Sequence, residues 1–157
     1  VKLWHGQVVS SENSQHISDW YTPSHLIHGF LFFGALSLVA RWRPLGLHLS
    51  FEWRLVIATA IEAAWEIVEN SAAVIERYRS VTIALDYYGD SVLNSLADML
   101  AMVLGFFLAS RLPVWAAAAI VLGFEALTIW LIRDGLALNV LMLVYPQDAV
   151  KAWQGGL

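Results

Sequence analysis

Two histidines three residues apart, His25 and His28, open the first long apolar run of this chain. Three glutamates, Glu62, Glu66 and Glu69, stand at i, i+4 and i+7 within the second run, with Asn70 adjoining them. Asp90, Asn94 and Asp98 stand at i, i+4 and i+8 across the start of a third, and Arg133 and Asp134 close a fourth. On a helix each of these spacings puts its members on one face, for the aspartate set provided the helix begins that early. Imidazole and carboxylate together are hard or borderline ligands for a divalent metal such as zinc, manganese or magnesium, or for iron. Without a metal, a His base oriented by a carboxylate performs acid–base chemistry. Glu66 and Glu69 cannot both ionise cheaply in a dry site, so one is protonated or both share a cation.

The composition says where such a site must lie. Of 157 residues, 59% are hydrophobic and only 14% charged, against about 25% charged in a soluble domain. Mean hydropathy is +0.61. The aromatic fraction of 13% and a net charge of −4 exclude disorder. Nine Lys and Arg against thirteen Asp and Glu, with no basic run, argue against nucleic acid as a partner. The absence of Cys excludes disulfides, thiolate metal sites, iron–sulfur clusters and covalently attached haem. A bis-His b-type haem is not expected either. His25 and His28 share one segment, His48 is at the opposite end, and His5 and His16 lie outside the spans.

The elements that must position these residues are apolar segments at about 24–40, 54–75, 91–112 and 114–132. Each approaches the roughly 20 residues that cross the hydrocarbon as a helix. Strand-like alternation is absent, so the expected fold is all-α. It is a single membrane domain, a transmembrane bundle of about four spanning helices. Residues 1–22, with Trp4, Trp20 and Tyr21, read as a polar interfacial segment, and Pro23 suits the first turn of the first helix. Arg41, Arg43 and Pro44 end that helix, and Pro113 closes the third. A piece at 136–145 is too short to span and reads as an interfacial or re-entrant helix. Residue 1 is Val rather than Met, so a preceding segment is expected.

Because alternate helices run in opposite directions, the histidines, Glu66, Glu69, Asn70, the aspartate stripe and Arg133 all fall at one end of the bundle. Glu62 and Glu125 lie deeper. Charged groups in hydrocarbon cost at least about 2.5–3.5 kcal/mol each, so the stripes are expected to turn inward and meet. The basic residues of 41–54 favour a cytoplasmic position for that loop and an outer, periplasmic position for the polar end.

The expected metal ligands are His25, His28, Glu66 and Asp98, and the expected catalytic groups are Glu66, Glu69, Asp98 and Asn94. Arg133 is expected to hold an anionic headgroup, with Asp90 and Tyr88 also contacting substrate. Asp90 has a competing role as a helix N-cap, Tyr87 and Tyr88 as interface anchors, and Glu125 as a neutral carboxyl bonded between helices. Ser24, Ser71, Ser91 and Ser95 lie nearby without a nucleophile motif, so direct attack by water is the simpler chemistry.

The runs VKLWHG, SENSQHISDWYTPSHLIHGF, IEAAWEIVENS, ALDYYGDSVLNSLADMLAMVLGF and IRDGLALNVLMLVYP resemble an uncharacterised family of multi-pass inner-membrane proteins of alphaproteobacteria. The resemblance covers nearly the whole chain. It implies location and topology but no activity, and members carry one further amino-terminal hydrophobic segment. A looser likeness, to the VanZ-like membrane proteins, rests on His28, Glu66, Asp90 and Asn94.

Two functions are expected from these residues. One is a metal-assisted hydrolase or transferase acting on a membrane lipid or lipid-linked substrate. The other is a non-enzymatic subunit or assembly factor of an inner-membrane complex, with homo-oligomers or membrane-complex partners. A transporter or proton relay ranks last, because one half of the bundle is almost without polar groups.

Overall fold

The computed structural model describes residues 1–42 and 49–156. Among these residues it is all-helical: α1 Thr22–Arg41, α2 Phe51–Glu69, α3 Ala72–Val81, α4 Val92–Arg111, α5 Val114–Ile132, α6 Leu136–Val144 and α7 Asp148–Gln154. Arg43, Pro44 and His48 lie outside the described residues. The expected helical bundle is present. Three helices, α1, α4 and α5, are long and apolar enough to cross a membrane, which points to a membrane protein. α2 is as long as α5 but carries Glu52, Arg54, Glu62, Glu66 and Glu69 in its 19 residues.

The helix ends follow local chemistry. Pro23 sits in the first turn of α1, where its missing N–H would be unpaired anyway. The expected span at 54–75 is two helices rather than one. Ser71 accepts the Val74 N–H and starts α3, while Asn70 caps α2 by donating to the Glu66 carbonyl. Two polar capping residues end one helix and begin the next where an apolar run alone suggested continuity. α4 likewise starts at Ser91, which accepts the Asn94 N–H. Asp90 is therefore not its cap and precedes the helix. α5 ends at Arg133, whose φ of 53° is left-handed and turns the chain into α6.

α1 and α4 form the most intimate pair. A Cβ on Gly29 would come within 2.1 Å of the Met102 carbonyl oxygen, and one on Gly105 within 2.0 Å of the Leu26 carbonyl oxygen. Both neighbours are backbone, so neither can give way, and only glycine lets the helices approach this closely. Beyond the contact, Ala58, Met102 and Phe106 form the fully buried core, with Phe33 and Phe51 edge-on to Phe106. α5 is exposed along most of its length, as suits a helix facing hydrocarbon.

Residues 1–21, the expected interfacial segment, are ordered by hydrogen bonds to the bundle. They fold over the polar end of the bundle. Asp19, buried, accepts the Ser14 and Tyr21 N–H groups at 2.8 Å each. Ser91 N–H donates to the Ser14 carbonyl, Gln15 to the Gly89 carbonyl and Asn94 Nδ2 to the His16 carbonyl. Trp4 and Trp20 pack edge to face at 5.1 Å.

The glycine contact predicts a sharp contrast between two substitutions on α1. Gly29→Ala should destabilise by more than about 2 kcal/mol, because overpacking here meets backbone. Gly34→Ala, where a Cβ meets nothing within 4 Å, should change stability by less than about 1 kcal/mol. Thermal unfolding in mild detergent measures both.

Candidate functional site

Glu62 is fully buried and joins the two histidines. It accepts from His25 Nδ1 at 2.7 Å and from His28 Nδ1 at 3.0 Å to each carboxylate oxygen. A carboxylate only accepts, so both imidazoles carry a proton on Nδ1 and, when neutral, leave Nε2 as a lone pair. This is the arrangement by which a second carboxylate orients histidines for a metal or for proton transfer. The separations are hydrogen-bond lengths. Two ligands of one ion, each about 2.0–2.2 Å from it, stand about 3.0–3.6 Å apart in octahedral or tetrahedral geometry. Glu62 orients the histidines, and the ligand atoms of His25, His28 and Glu62 also lie within 4.8 Å of one another, close enough for one ion.

His25 has acids at both ring nitrogens. Its lone-pair Nε2 lies 3.8 Å from Asp98 Oδ2, and its protonated Nδ1, besides meeting Glu62, lies 3.6 Å from Glu66 Oε1. Glu66 and Asp98 are 5% and 3% exposed. Both oxygens of Glu66, Oδ1 of Asp98, Oδ1 of Asn94 and Oε2 of Glu69 are buried without a hydrogen-bond partner. Buried acceptors are nearly always paired, so these are the atoms of the cluster left open to a further partner.

Part of this cluster lines a cavity of about 290 Å³, while Glu66 and Asn94 stand behind its wall. His25, His28, Glu62, Glu69 and Asp98 line its depth, and the apolar walls include Phe32, Ile61, Val140 and Leu143. The amino-terminal segment supplies one side through Val8, Val9 and Ser10. His28 stacks on Phe32 at 5.7 Å.

The structure brings His25, His28, Glu66, Glu69, Asn94 and Asp98 into one polar cluster. Asn94 has a second task, since its amide ties the amino-terminal segment to α4. Asp90 lines the cavity, where it accepts from the Tyr87 hydroxyl at 3.0 Å and from Asn70 at 3.4 Å, and burial pushes its carboxyl up. Arg133 is elsewhere. It donates to the Trp153 carbonyl at 2.8 Å and lies over that ring, holding α7, and it does not line the cavity. Tyr88 is exposed and also absent from the lining, whereas Tyr87 is in it. Glu125 of α5 accepts the Leu136 and Ala137 N–H groups and so bonds between helices as expected, by capping α6.

Sequence reasoning gave no site role to Glu62, Tyr21 or Asp134. Glu62 stands on the face of Glu66 and Glu69 but deeper. Tyr21 donates to Asp134 at 3.3 Å, and both line the cavity. Asp134 is buried and also accepts from the Gly135 N–H and from Gln154. A second group of ligand-type residues, His5, Glu12 and His16, lies in the amino-terminal segment. There Lys2 Nζ contacts Glu12 at 2.5 Å, and the Lys2 main-chain N–H donates to His16 Nδ1. His16 therefore turns a protonated Nε2 to Glu12. The Lys2 hydrogen bond, with that of His16, holds Glu12 down to about 2. This group is a closed ion-pair clasp.

Taken together, fold and site define a helical membrane protein with a buried histidine–carboxylate centre at one end of its bundle. It belongs to the DUF2585 family of proteins of unknown function, whose model matches residues 1–156. Similar curated proteins include the UPF0314 proteins of three alphaproteobacteria. That of Paracoccus denitrificans is 71% identical over all of this chain and 78% of the relative. That of Sinorhizobium fredii is 63% identical over all of this chain and 77% of the relative. That of Novosphingobium aromaticivorans is 58% identical over 99% of this chain and 78% of the relative. The family resemblance of the sequence motifs is thereby established, while the likeness to VanZ-like proteins is carried by none of these matches. No solved structure matches the chain.

Burial, chiefly, raises the Asp134 carboxyl to about 6. A carboxyl raised on folding favours the folded state below the unfolded value near 3.8 and loses that contribution as pH rises through 6. Asp134→Asn should therefore stabilise the protein at pH 7.5, by on the order of 1–3 kcal/mol. It should have little effect below pH 4, and melting temperatures across that range test it.

Proposed function

We propose that this chain is a membrane-embedded hydrolase or transferase that uses a divalent cation. His25, Glu66 and Asp98 bind the ion, with His28 beside it, at the outer end of the bundle in a bacterial inner membrane. The substrate is a lipid or lipid-linked molecule that enters through the apolar wall of the cavity. The observation that carries this reading is the set of unpaired buried acceptors around His25: both oxygens of Glu66 and Oδ1 of Asp98.

Burying ions without partners is prohibitive. Within the cluster only two histidines stand against Glu62, Glu66, Glu69 and Asp98, and Glu62 already engages both. A divalent ion answers the excess. The 3.8 Å between His25 Nε2 and Asp98 Oδ2 is near the span of two ligands on one ion, about 3.0–3.6 Å. A bound ion polarises a carbonyl or phosphoryl oxygen and makes its water acidic. Glu62 keeps both imidazoles in the Nδ1–H form, so His28 Nε2 can accept the proton of the attacking water. Glu69 lines the same cavity, where its carboxyl can return a proton to the leaving group.

The test is turnover of a lipid extract by the purified chain in nanodiscs, read by mass spectrometry. A chelator should abolish product formation and zinc or manganese restore it. His28→Ala should lose at least about a hundredfold in rate while staying folded, the usual contribution of an acid–base group. No turnover by metal-loaded protein, together with stable co-purifying membrane proteins, would overturn the enzyme reading in favour of a subunit or assembly factor.

A further inference from the structure

We propose that the outer part of the same cavity binds the ammonium group of a lipid headgroup, so that the chain selects amine-bearing amphiphiles over anionic ones. This deepens the proposed function only in its lipid substrate. It does not depend on a metal.

The first observation is charge. Beyond the inner cluster, Asp86, Asp90 and Asp134 also line the cavity, and among the described residues no Lys or Arg lines it. The arginines nearby in sequence are turned to backbone: Arg79 donates to the Tyr87 carbonyl, Arg77 to the Leu143 carbonyl and Arg133 to the Trp153 carbonyl. An anionic headgroup beside Asp86, Asp90 and Asp134 meets carboxylates with no Lys or Arg in the described lining to offset them. The expected anion-holding role of Arg133 has no support in its placement.

The second observation is aromatic. Tyr21, Trp65, Tyr78 and Tyr87 line the cavity, and Tyr78 and Tyr87 meet edge to face at 5.5 Å. Tyr87 donates its hydroxyl to Asp90 and Tyr21 donates its hydroxyl to Asp134. Burial, with these anions, pushes both phenols well up, so both stay neutral donors. A phenol that donates to a carboxylate has an electron-richer ring. Rings of this kind, backed by acids, recognise alkylammonium groups. The third observation is the apolar rim, with Ile83, Leu85, Val140 and Leu143 in the lining. It suits an acyl chain attached to that headgroup.

The experiment uses the full chain in neutral maltoside micelles, offered an equimolar mixture of phosphatidylethanolamine and phosphatidylglycerol with identical acyl chains. Both lipids carry a phosphate, and only one carries an amine. Retained lipid is measured by native mass spectrometry, with and without chelator. The expected result is retention of the amine lipid over phosphatidylglycerol by about tenfold, unchanged by chelator. A dioleoyl trimethylammonium lipid lacking phosphate should compete. Asp86→Asn, at an exposed position, should lower the preference, and Tyr87→Leu should abolish it. Equal retention of the two lipids by the unaltered chain, or a preference for phosphatidylglycerol, overturns the proposal whatever the variants do. Selectivity that survives in metal-free protein separates this inference from the metal reading. A preference that vanishes with chelator assigns recognition to the phosphate and overturns it.

Discussion

The Glu62 carboxylate, clamped between two imidazoles in a fully buried position, is the interaction on which the rest of the structure depends. It lets α2, with five charged residues, pack among helices apolar enough to span. Its cost in a low-dielectric interior is offset by the two imidazoles that face it. It also sets the tautomer of both rings and so decides which nitrogens remain available for chemistry. The same turn-by-turn spacing that delivers Glu62 to the histidines delivers Glu66 to the unpaired cluster one turn nearer the polar end.

Two further constraints hold that geometry. The Gly29–Gly105 contact brings α1 against α4 and sets their register, and that register places His25 beside Asp98. The amino-terminal segment then closes the polar end, anchored by Asn94 to the His16 carbonyl and by Gln15 to the Gly89 carbonyl. A residue of the site thus also holds the wall of the cavity. Site and enclosure are built as one unit, as desolvation of so many carboxylates demands.

Much of this was legible in the sequence because helical period is a strong local signal. α5 occupies the expected 114–132 as Val114–Ile132, and the short piece at 136–145 is α6. That histidines, glutamates and aspartates share one end followed from helix direction, and the expectation that they meet followed from the cost of charge in hydrocarbon. Other features were not local. The break at Asn70 and Ser71 depends on capping hydrogen bonds inside an apolar run. Residues 82–91 are outside any helix, so no periodicity could say that Tyr87 rather than Tyr88 faces the cavity. The fold of residues 1–21 over the bundle rests on contacts such as Asn94 to His16, which no window of sequence contains. Arg133 sat at the correct end of the bundle, but α7, absent from the sequence reading, takes it.

The central claim is that the unpaired carboxylates around His25 hold a divalent ion. Its most direct test is the metal content of the purified full chain, measured by inductively coupled plasma mass spectrometry alongside Glu66→Gln and Asp98→Asn. The account predicts about one divalent ion per chain, lost in both variants while the helical circular dichroism persists. Folded, unaltered protein that takes up no divalent ion even when zinc, manganese or magnesium is supplied would contradict it. The unpaired acids would then be protonated groups.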